Sequence, residues 1–369
     1  MIEYLFITFI VVFCIQFIYY IFIFGFFSFN KYKPLTSNFD QPVSVLICAK
    51  NEAKNLSKYL PLYLDQDYKN FELVLINDCS TDATLEIFRK FKEENPSQIK
   101  IVDVIANEQF WGSKKYALTL GIKAASYEHL LFTDADCKPG SKNWIKEMSS
   151  FFNEKKQLIL GYGAYEKIEN SLLNKLIRFE TLVTAIQYFS YSKIGIPYMG
   201  VGRNLAYTKT KFFSVNGFIN HMKIKSGDDD LFINQIATKT NTANCLSPNS
   251  FTVSAPKLTF KEWVQQKRRH VSTASHYKNF HKLLLGLFYS TQLLFWTISL
   301  ILFTTLYQWQ FVLILVLVRI LIQYSIIWTS AKKLNEKDLV LLAPFLEIFL
   351  IVIQMFIFIK NLISKPTHW

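Results

Sequence analysis

The sequence is poor in cysteine, and its few cysteines are not arranged for either common structural use. The chain of 369 residues has five cysteines, an odd number, and no two of them form a Cys-x-x-Cys pair. This pattern argues against a zinc site and against a disulfide framework. Cys48, Cys79 and Cys137 stand at the ends of predicted strands, where reduced thiols fit a domain that lies in the cytosol.

Charge is missing from long stretches at both ends of the chain. Residues 4–29 are almost wholly apolar and uncharged, and a run of about 20 such residues spans a bilayer. The segment lacks a small-residue cleavage site, so we expect a retained anchor rather than a signal peptide. Residues 284–307, 310–330 and 338–359 are further candidate spans. The last contains Glu347 and would also suit a helix lying in the membrane interface.

These apolar ends divide the chain into three predicted parts. Residues 1–30 form a transmembrane anchor, residues 40–280 a domain that ends in an amphipathic interface segment, and residues 283–360 two or three membrane helices. Arg319, within a candidate span, must lie inside the helix bundle or extend to the interface. The mean hydropathy of +0.17 fits this mixture of membrane and soluble parts.

The chain is basic, with a net charge of +13. We expect no nucleic acid partner, because no helix or strand combines a basic stripe with stacking aromatics. In a membrane protein, excess positive charge marks cytoplasmic segments and favours contact with anionic lipids. Several lysines place the middle domain in the cytoplasm, and two after the last segment argue otherwise if that segment crosses. The first group is Lys31, Lys33, Lys332, Lys333 and Lys337, and the second is Lys360 and Lys365.

Short apolar runs alternate with amphipathic stretches between the two ends. The predicted strands are Val43–Ala49, Phe71–Ile76, Ile99–Ile105, Leu130–Thr133 and Leu158–Tyr165. Helices are predicted from about Leu56, after Ser80-Thr81-Asp82, over Lys114–Ala125 and over residues 170–193. Strands that alternate with helices predict a doubly wound α/β domain with a mostly parallel sheet.

Two aspartates follow the strand Leu130–Thr133 directly. Asp134 and Asp136 are separated by a single residue, at the carboxyl end of a strand where open α/β sheets bind ligands. Carboxylates this close repel each other unless a cation lies between them. Their oxygens suit Mg²⁺ or Mn²⁺ that carries substrate phosphates. An acidic surface turn is the alternative interpretation.

Other polar groups follow the neighbouring strands. Glu52 and Asp78 come after the first two strands, and a carboxylate there can accept hydrogen bonds from a nucleobase or a ribose. The residues Ser80–Asp82 also suit a helix cap, which is compatible with ligand binding by Asp78. Lys114 opens a helix, where it can meet a diphosphate with the aid of the helix dipole, or remain solvated.

Two motifs lie closer to the membrane segments. Asp228, Asp229 and Asp230 precede an apolar helix, and one of them can act as a general base, although an acidic helix start is the simpler interpretation. Gln266 and Arg269 belong to a basic run near the membrane, which can bind lipid headgroups or a diphosphate leaving group.

Taken in order, these motifs resemble the membrane-bound family 2 glycosyltransferases. That group has the GT-A fold and includes cellulose, chitin and hyaluronan synthases and ceramide glucosyltransferase. The resemblance covers about residues 42–275. Its motifs are Ala49-Lys50-Asn51-Glu52, Asn77-Asp78-x-Ser80-Thr81-Asp82, Lys114-x-x-Ala117-Leu118, Asp134-x-Asp136, Gly202-x-Asn204, Asp228-x-Asp230-Leu231 and Gln266-x-x-Arg269.

The resemblance implies a GT-A (Rossmann-like) catalytic domain flanked by membrane helices, and a role for each matching residue. The donor is a nucleoside-diphosphate sugar, by default UDP-linked, and the cofactor is Mn²⁺ or Mg²⁺ held by Asp136. Asp228 is the general base, with Asp229 as a substitute if the register shifts by one. The implied substrate-binding residues are Glu52, Asp78, Lys114, Asp134, Asn204, Gln266, Arg269 and His270.

The chain departs from the family motif at His270, which stands where the QxxRW motif has tryptophan. In polymer synthases that aromatic helps to hold the growing chain, so we expect transfer of a single sugar to a lipid or glycan acceptor at the membrane. The expected location is a bacterial inner membrane, with the catalytic domain in the cytoplasm. The alternatives are a processive polysaccharide synthase, a non-catalytic membrane scaffold of the same fold, and a membrane nucleotidyltransferase.

Overall fold

The computed structural model describes residues 1–31, 39–105 and 114–364. Lys33 and Lys365, which entered the orientation argument above, lie outside the described residues. The chain forms two compact units. The helical unit comprises Met1–Lys31, Glu169–Ile194 and Leu258–Trp369, and the sheet unit comprises Tyr32–Ile168 and Gly195–Lys257.

The elements are numbered in chain order. The strands are β1 (Val43–Ala49), β2 (Phe71–Asp78), β3 (Ile99–Val104), β4 (His129–Asp134), β5 (Cys137–Pro139), β6 (Leu158–Leu160), β7 (Gly163–Tyr165), β8 (Leu205–Thr208), β9 (Thr242–Asn244) and β10 (Thr252–Ser254). The α-helices are α1 (Ile2–Ile18), α2 (Gly25–Ser28), α3 (Ala53–Leu64), α4 (Thr84–Glu94), α5 (Lys114–Ala124), α6 (Trp144–Ser149), α7 (Leu172–Lys193), α8 (Lys209–Ser214), α9 (Asp230–Ile236), α10 (Phe260–Thr273), α11 (Asn279–Thr304), α12 (Trp309–Lys333) and α13 (Ala343–Ile363). A π-helical segment, Tyr19–Phe24, joins α1 to α2, and 3₁₀ turns cover Gly202–Asn204, Ile219–His221, Pro248–Ser250, Ala274–His276 and Lys337–Leu342.

The main sheet of the sheet unit confirms the predicted α/β architecture. Among the described residues its strands lie in the order β3-β2-β1-β4-β8-β6-β9. The first four are parallel, whereas β8 runs antiparallel to β4 and β6. The central strands are apolar because helices cover both faces of a parallel sheet. Val45, Leu46 and Ile47 of β1 are accordingly at most 1% exposed.

A second, smaller sheet corrects one prediction. Residues Leu158–Tyr165 were expected to form a single strand, but they form β6 in the main sheet and β7 in a sheet of order β5-β10-β7. The chain passes between the two sheets at Gly161, where a Cβ atom would lie 2.5 Å from the side chain of Asn204. Only glycine permits this close approach, and the strand is interrupted there.

The helical unit contains the apolar segments predicted from the sequence. Within the part of the chain that the structure describes, four helices are long and apolar enough to cross a membrane, namely Ile2–Ser28, Asn279–Thr304, Trp309–Lys333 and Lys337–Ile363. The rings of Phe9 and Phe295 stack with their centroids 5.1 Å apart, which packs α1 on α11. Arg319 lies inside the bundle, 2% exposed, and forms an ion pair with Glu347 at 2.6 Å.

Candidate active site

Three parallel strands end at the same edge of the main sheet, and their polar ends form the candidate site. Cys48 of β1 lies opposite Ile76 of β2 on one side and Asp134 of β4 on the other. Parallel strands present their carboxyl ends together, at the edge where open α/β sheets bind ligands. Glu52, Asp78 and Asp134 therefore follow neighbouring strand ends, as predicted.

The loops after β1 and β2 are joined by side-chain hydrogen bonds. Oδ1 of Asn51 accepts from the N–H of Thr81 at 2.8 Å, and the N–H of Asn51 donates to Oγ of Ser80 at 3.0 Å. Asp82 accepts from the first N–H group of α3, that of Ala53, at 3.1 Å and from the first N–H group of α4, that of Thr84, at 3.0 Å. The predicted capping role thus falls to Asp82, while Ser80 binds the adjacent loop.

The carboxyl groups of Asp78, which is buried, and Glu52, which is half-buried, have reduced access to solvent. Burial raises the pKa of Asp78, which is only 7% exposed. Burial also raises the pKa of Glu52, against the effect of a hydrogen bond from Asn55 at 2.7 Å. Desolvated carboxylates gain from additional donors, so the N–H and hydroxyl groups of a nucleoside suit this position.

Asp134 and Asp136 form a pair that suits a divalent cation. One carboxylate oxygen of each and the Sγ atom of Cys137 lie within 4.8 Å of one another. Burial and the neighbouring Asp134 raise the pKa of Asp136, which is the effect of two carboxyl groups that repel each other. Burial holds the pKa of Cys137 well above its usual range, so the thiol stays neutral. The potential metal ligands are therefore the carboxylate oxygens of Asp134 and Asp136, hard ligands that suit Mn²⁺ or Mg²⁺.

Lys114 connects this pair to the acidic triplet. Its Nζ atom lies 2.8 Å from Oδ1 of Asp134 and 3.1 Å from Oδ2 of Asp228. Burial lowers the pKa of Lys114, but the two aspartates outweigh it and hold that pKa well above the usual value. Burial would raise the pKa of Asp228, but the charge of Lys114 holds it below the usual value. Lys114 is therefore an ion-paired residue of the site rather than a solvated side chain.

Asp229 differs from Asp228 in what it contacts. Its Oδ2 accepts from the N–H of Gly202 at 2.7 Å, and its Oδ1 accepts from the N–H of Asp230 at the start of α9. Burial and the neighbouring aspartates raise the pKa of Asp229 to about 7. Asp228 is therefore the ionised member of the pair at neutral pH, and Asp229 secures the backbone beside it.

Asn204 is fully buried and links the elements around the site. Its Nδ2 donates to the carbonyl oxygens of Tyr162 at 2.9 Å and Ser250 at 2.7 Å, and its Oδ1 accepts from Nε1 of Trp144 at 3.1 Å. With 0% exposure, this side chain holds the backbone between the two sheets. Its assignment to substrate binding stays a prediction.

Arg203 is a site residue that the sequence did not reveal. Its guanidinium lies 4.2 Å from the ring centroid of Tyr165 and donates to Oγ of Ser254 at 3.0 Å. Burial alone would lower the pKa of Arg203, but Tyr165, Cys137, Tyr162 and Asp136 raise it. Burial raises the pKa of Asp136, and the positive charge of Arg203 in turn acts to lower it. The sequence alone does not indicate this role, because the partners of Arg203 lie on strands far from it along the chain.

Gln266, Arg269 and His270 belong to the helical unit, on α10. That helix begins with a capping box formed by Thr259 and Glu262. The neighbouring Lys267 forms an ion pair with Glu180 of α7. Oε1 of Gln266 is buried and has no hydrogen-bond partner among residues 1–31, 39–105 and 114–364. The roles of these residues toward a donor stay predictions.

Known proteins of similar sequence match part of this chain. Residues 44–224 match the family described as "Glycosyl transferase family 2". The poly-beta-1,6-N-acetyl-D-glucosamine synthase of Staphylococcus epidermidis is 37% identical over 94 residues, which cover 26% of this chain and 21% of that protein. The synthase of the same name from Staphylococcus aureus (strain COL) is 33% identical over 110 residues, covering 30% and 25%. The matches thus span about a fifth to a quarter of these relatives.

A solved structure resembles nearly the whole chain. The mannosyltransferase PcManGT from Pyrobaculum calidifontis, solved in complex with GDP-Man and Mn²⁺, superposes with a TM-score of 0.59. The match covers 94% of this chain and 98% of that one, at 18% sequence identity. At this level of identity the likeness shows the fold.

Proposed function

We propose that this protein, whose residues 44–224 match the family 2 glycosyltransferases, is an inverting, metal-dependent glycosyltransferase of GT-A fold. It moves a sugar from a nucleoside-diphosphate sugar, with UDP as the first candidate, to a lipid or glycan acceptor at the cytoplasmic face of a bacterial inner membrane. The observation that carries this proposal is the pairing of one ammonium, on Lys114, with both Asp134 and Asp228. The ammonium of Lys114 thus links the predicted donor site to the predicted base.

The donor is bound along the edge of the main sheet. Asp78 and Glu52 accept hydrogen bonds from the base and ribose, and the positive charge of Lys114 faces the diphosphate. Asp136, with Asp134 beside it, would hold Mn²⁺ or Mg²⁺, which would supply positive charge to the diphosphate. Gln266, Arg269 and His270, on α10, are assigned to the diphosphate by the resemblance alone. Asn204 keeps the two sheets in place around this site.

Asp228 is the general base. Its lowered pKa keeps the carboxylate ionised at neutral pH, so it can accept the proton of the acceptor hydroxyl. The acceptor oxygen forms a bond to the anomeric carbon while the bond from that carbon to the diphosphate oxygen breaks. The proton goes to Asp228 and the bonding electrons leave with the nucleoside diphosphate. Attack from the face opposite the leaving group inverts the anomeric configuration.

A processive polysaccharide synthase is the second candidate. It is favoured by the two staphylococcal relatives, which are named as synthases of poly-beta-1,6-N-acetyl-D-glucosamine. His270 in place of tryptophan argues for single transfer instead. The length of the product formed from a radiolabelled donor separates the two: one added sugar supports transfer to a single acceptor, and a ladder of lengths supports a synthase.

The deciding experiment measures nucleotide release by the full-length protein purified in detergent. UDP-, GDP-, CMP- and dTDP-sugars are screened with Mn²⁺ or Mg²⁺ and a membrane lipid extract as acceptor source. We expect metal-dependent release from one donor. Asp136→Asn should abolish this release, and Asp228→Asn should lose turnover while it retains donor binding by calorimetry.

Asp65→Asn is the matched control, since it removes the same charge from an exposed pair with Lys142. It should keep wild-type turnover. Full turnover in both Asp136→Asn and Asp228→Asn would contradict a catalytic role for these residues. Absence of both turnover and donor binding in the wild type would favour the scaffold instead.

A further inference from the structure

The loop that precedes Asp228 is held by the second lysine of α5. Nζ of Lys115 donates to the carbonyl oxygens of His221 at 2.8 Å, Ile224 at 2.7 Å and Ser226 at 2.6 Å. An ammonium has three N–H donors and no acceptor, so these bonds use all of them. Lys115 is 1% exposed, so its three donors bind this loop rather than the solvent.

The backbone on either side of Asp228 is therefore fixed. After the clamped carbonyls, Gly227 turns the chain with a φ of +95°, and a Cβ atom there would lie 2.5 Å from Cδ1 of Leu231. After Asp228, the carboxylate of Asp229 accepts from the N–H of Gly202 at 2.7 Å. Asp228 lies on the short segment of chain between these two attachments.

Adjacent lysines of one helix turn thus hold the same residue in two ways. Lys114 pairs with the carboxylate of Asp228 at 3.1 Å, while Lys115 holds the loop backbone. Burial lowers the pKa of Lys115 to about 8, although Asp228, Asp230 and Asp229 act in the opposite direction.

We propose that Lys115 is a positioning residue for the general base. Its three hydrogen bonds to the 221–226 loop hold Asp228 in the position from which its carboxylate reaches the acceptor hydroxyl. This inference rests on the proposed function, because it takes Asp228 as the base. It assigns a role to a lysine that the sequence motifs leave unspecified. Lys115 contacts no substrate in this scheme and acts through the loop.

The first test is Lys115→Met, which keeps the apolar stem and removes all three donors. Because misplacing a catalytic group by about 1 Å costs up to about a hundredfold in rate, we expect kcat to fall by about tenfold or more. The dissociation constant for the nucleotide sugar, measured by calorimetry, should stay within about twofold of the wild-type value, since the residues proposed to bind that sugar donor are unchanged. Lys209→Met is the matched control: Lys209 binds two backbone carbonyls at the far end of α5, and this variant should keep wild-type kcat.

The second readout is the pH dependence of kcat. If Lys115 served folding alone, its loss of a proton would leave kcat unchanged. When Lys115 loses its proton above about pH 8, the amine keeps two donors and turns a lone pair toward a carbonyl. The kcat of the wild type should therefore fall toward that of Lys115→Met as the pH rises. A ratio of the two kcat values that stays constant from about pH 7 to about pH 9.5 would overturn the proposal.

Lys115→Arg gives a further test if the methionine variant does not accumulate as folded protein. A guanidinium stays charged throughout this range, so the alkaline fall in kcat should disappear. An unchanged alkaline fall would contradict the proposal. An active wild type with an equally active Lys115→Met overturns this inference alone, whereas a wild type without turnover or donor binding overturns the proposed function and this inference with it.

Discussion

A single ammonium group connects the two acidic motifs of the candidate site. Lys114 is close to both Asp134 and Asp228, at 2.8 and 3.1 Å, and its side chain is only 22% exposed. Low exposure strengthens such pairs, because less solvent screens them. The charge that would help to bind a diphosphate is therefore the same charge that keeps Asp228, the proposed base, ionised.

Lys114→Met tests this dual role through the pH dependence of kcat. The pKa of Asp228 is held below its usual value by Lys114 against the effect of burial. Without the ammonium, burial is unopposed and the pKa of Asp228 rises. A base works only above its pKa, so the acidic limb of the kcat profile should move to higher pH by about one unit or more. The measurement is kcat at saturating donor across the acidic range.

Lys100→Met is the control for this change. It removes one positive charge from β3 of the same sheet, where Lys100 pairs with Glu72 at 3.5 Å. Its acidic limb should coincide with that of the wild type. An acidic limb that does not move in Lys114→Met would show that Lys114 does not set the ionisation of the base.

At the scale of elements, α5 lies unusually close to the main sheet. A Cβ atom on Gly121 would lie 2.2 Å from Cδ1 of Ile76, a β2 residue with 0% exposure. Buried side chains in a packed core have little room to move. Glycine at this position therefore sets the distance of the helix that carries Lys114 and Lys115 from the sheet that carries Asp78.

Gly121→Ala should accordingly destabilise the protein by about 1–3 kcal/mol, the usual cost of overpacking. Ile76→Val removes the closest atom, so the same alanine should cost less in that background. Thermal unfolding of the purified protein, followed by tryptophan fluorescence, measures both effects. Gly286→Ala on α11, where a Cβ atom meets nothing within 4 Å, is the control and should not destabilise. Equal costs of Gly121→Ala in both backgrounds would contradict the close contact.

The sequence predicted those elements whose signal is local. The runs at β1, β2 and β4 are apolar and end in polar residues, which is what a buried parallel strand requires. The break at Gly161 was not predictable, because it depends on Asn204, a residue far along the chain. Lys115 was missed for a similar reason: its partners are backbone carbonyls, which any residue carries.

The helical unit contains a polar network where its apolar helices meet. Arg319 of α12 donates to both oxygens of Glu347 of α13, at 3.1 and 2.6 Å, and to Oε1 of Gln16 of α1 at 3.3 Å. Nε2 of Gln292 of α11 donates to Glu347 at 3.0 Å. Each of the four candidate spans thus contributes a side chain. Such groups inside a membrane are costly unless they bind one another, so the network favours one arrangement of the helices.

Glu347→Leu should destabilise the helical unit strongly. It leaves the buried charge of Arg319 without its anion, and breaking a buried pair in this way costs about 3–5 kcal/mol. The double variant Arg319→Met/Glu347→Leu removes both charges and should recover most of the loss. The midpoint of thermal aggregation in detergent is the measurement. Glu3→Leu, which removes an exposed carboxylate from α1, is the control, and a double variant as unstable as Glu347→Leu would contradict the pairing argument.

The orientation of the whole molecule in the membrane is open to a direct test. Successive helices that cross a membrane alternate in direction, so crossing by all four candidate spans predicts that the turns after α11 and α12 lie on opposite sides. Lys332, Lys333 and Lys337 cluster at the second turn, and positive residues of short loops remain in the cytoplasm. The sheet unit follows the first span and precedes the second, which puts it on the same side as that cluster.

Thr305→Cys and Lys337→Cys report the two turns, since both positions are exposed. They are introduced into a Cys14→Ser background, which removes the exposed native thiol of α1. A membrane-impermeant maleimide applied to spheroplasts should label Thr305→Cys at once and Lys337→Cys only after permeabilisation. The reverse pattern would place the lysine cluster and the sheet unit outside the cytoplasm, away from the cell's nucleotide sugars. Labelling of both without permeabilisation would put the two turns on the same face of the membrane and would show that α12 does not cross.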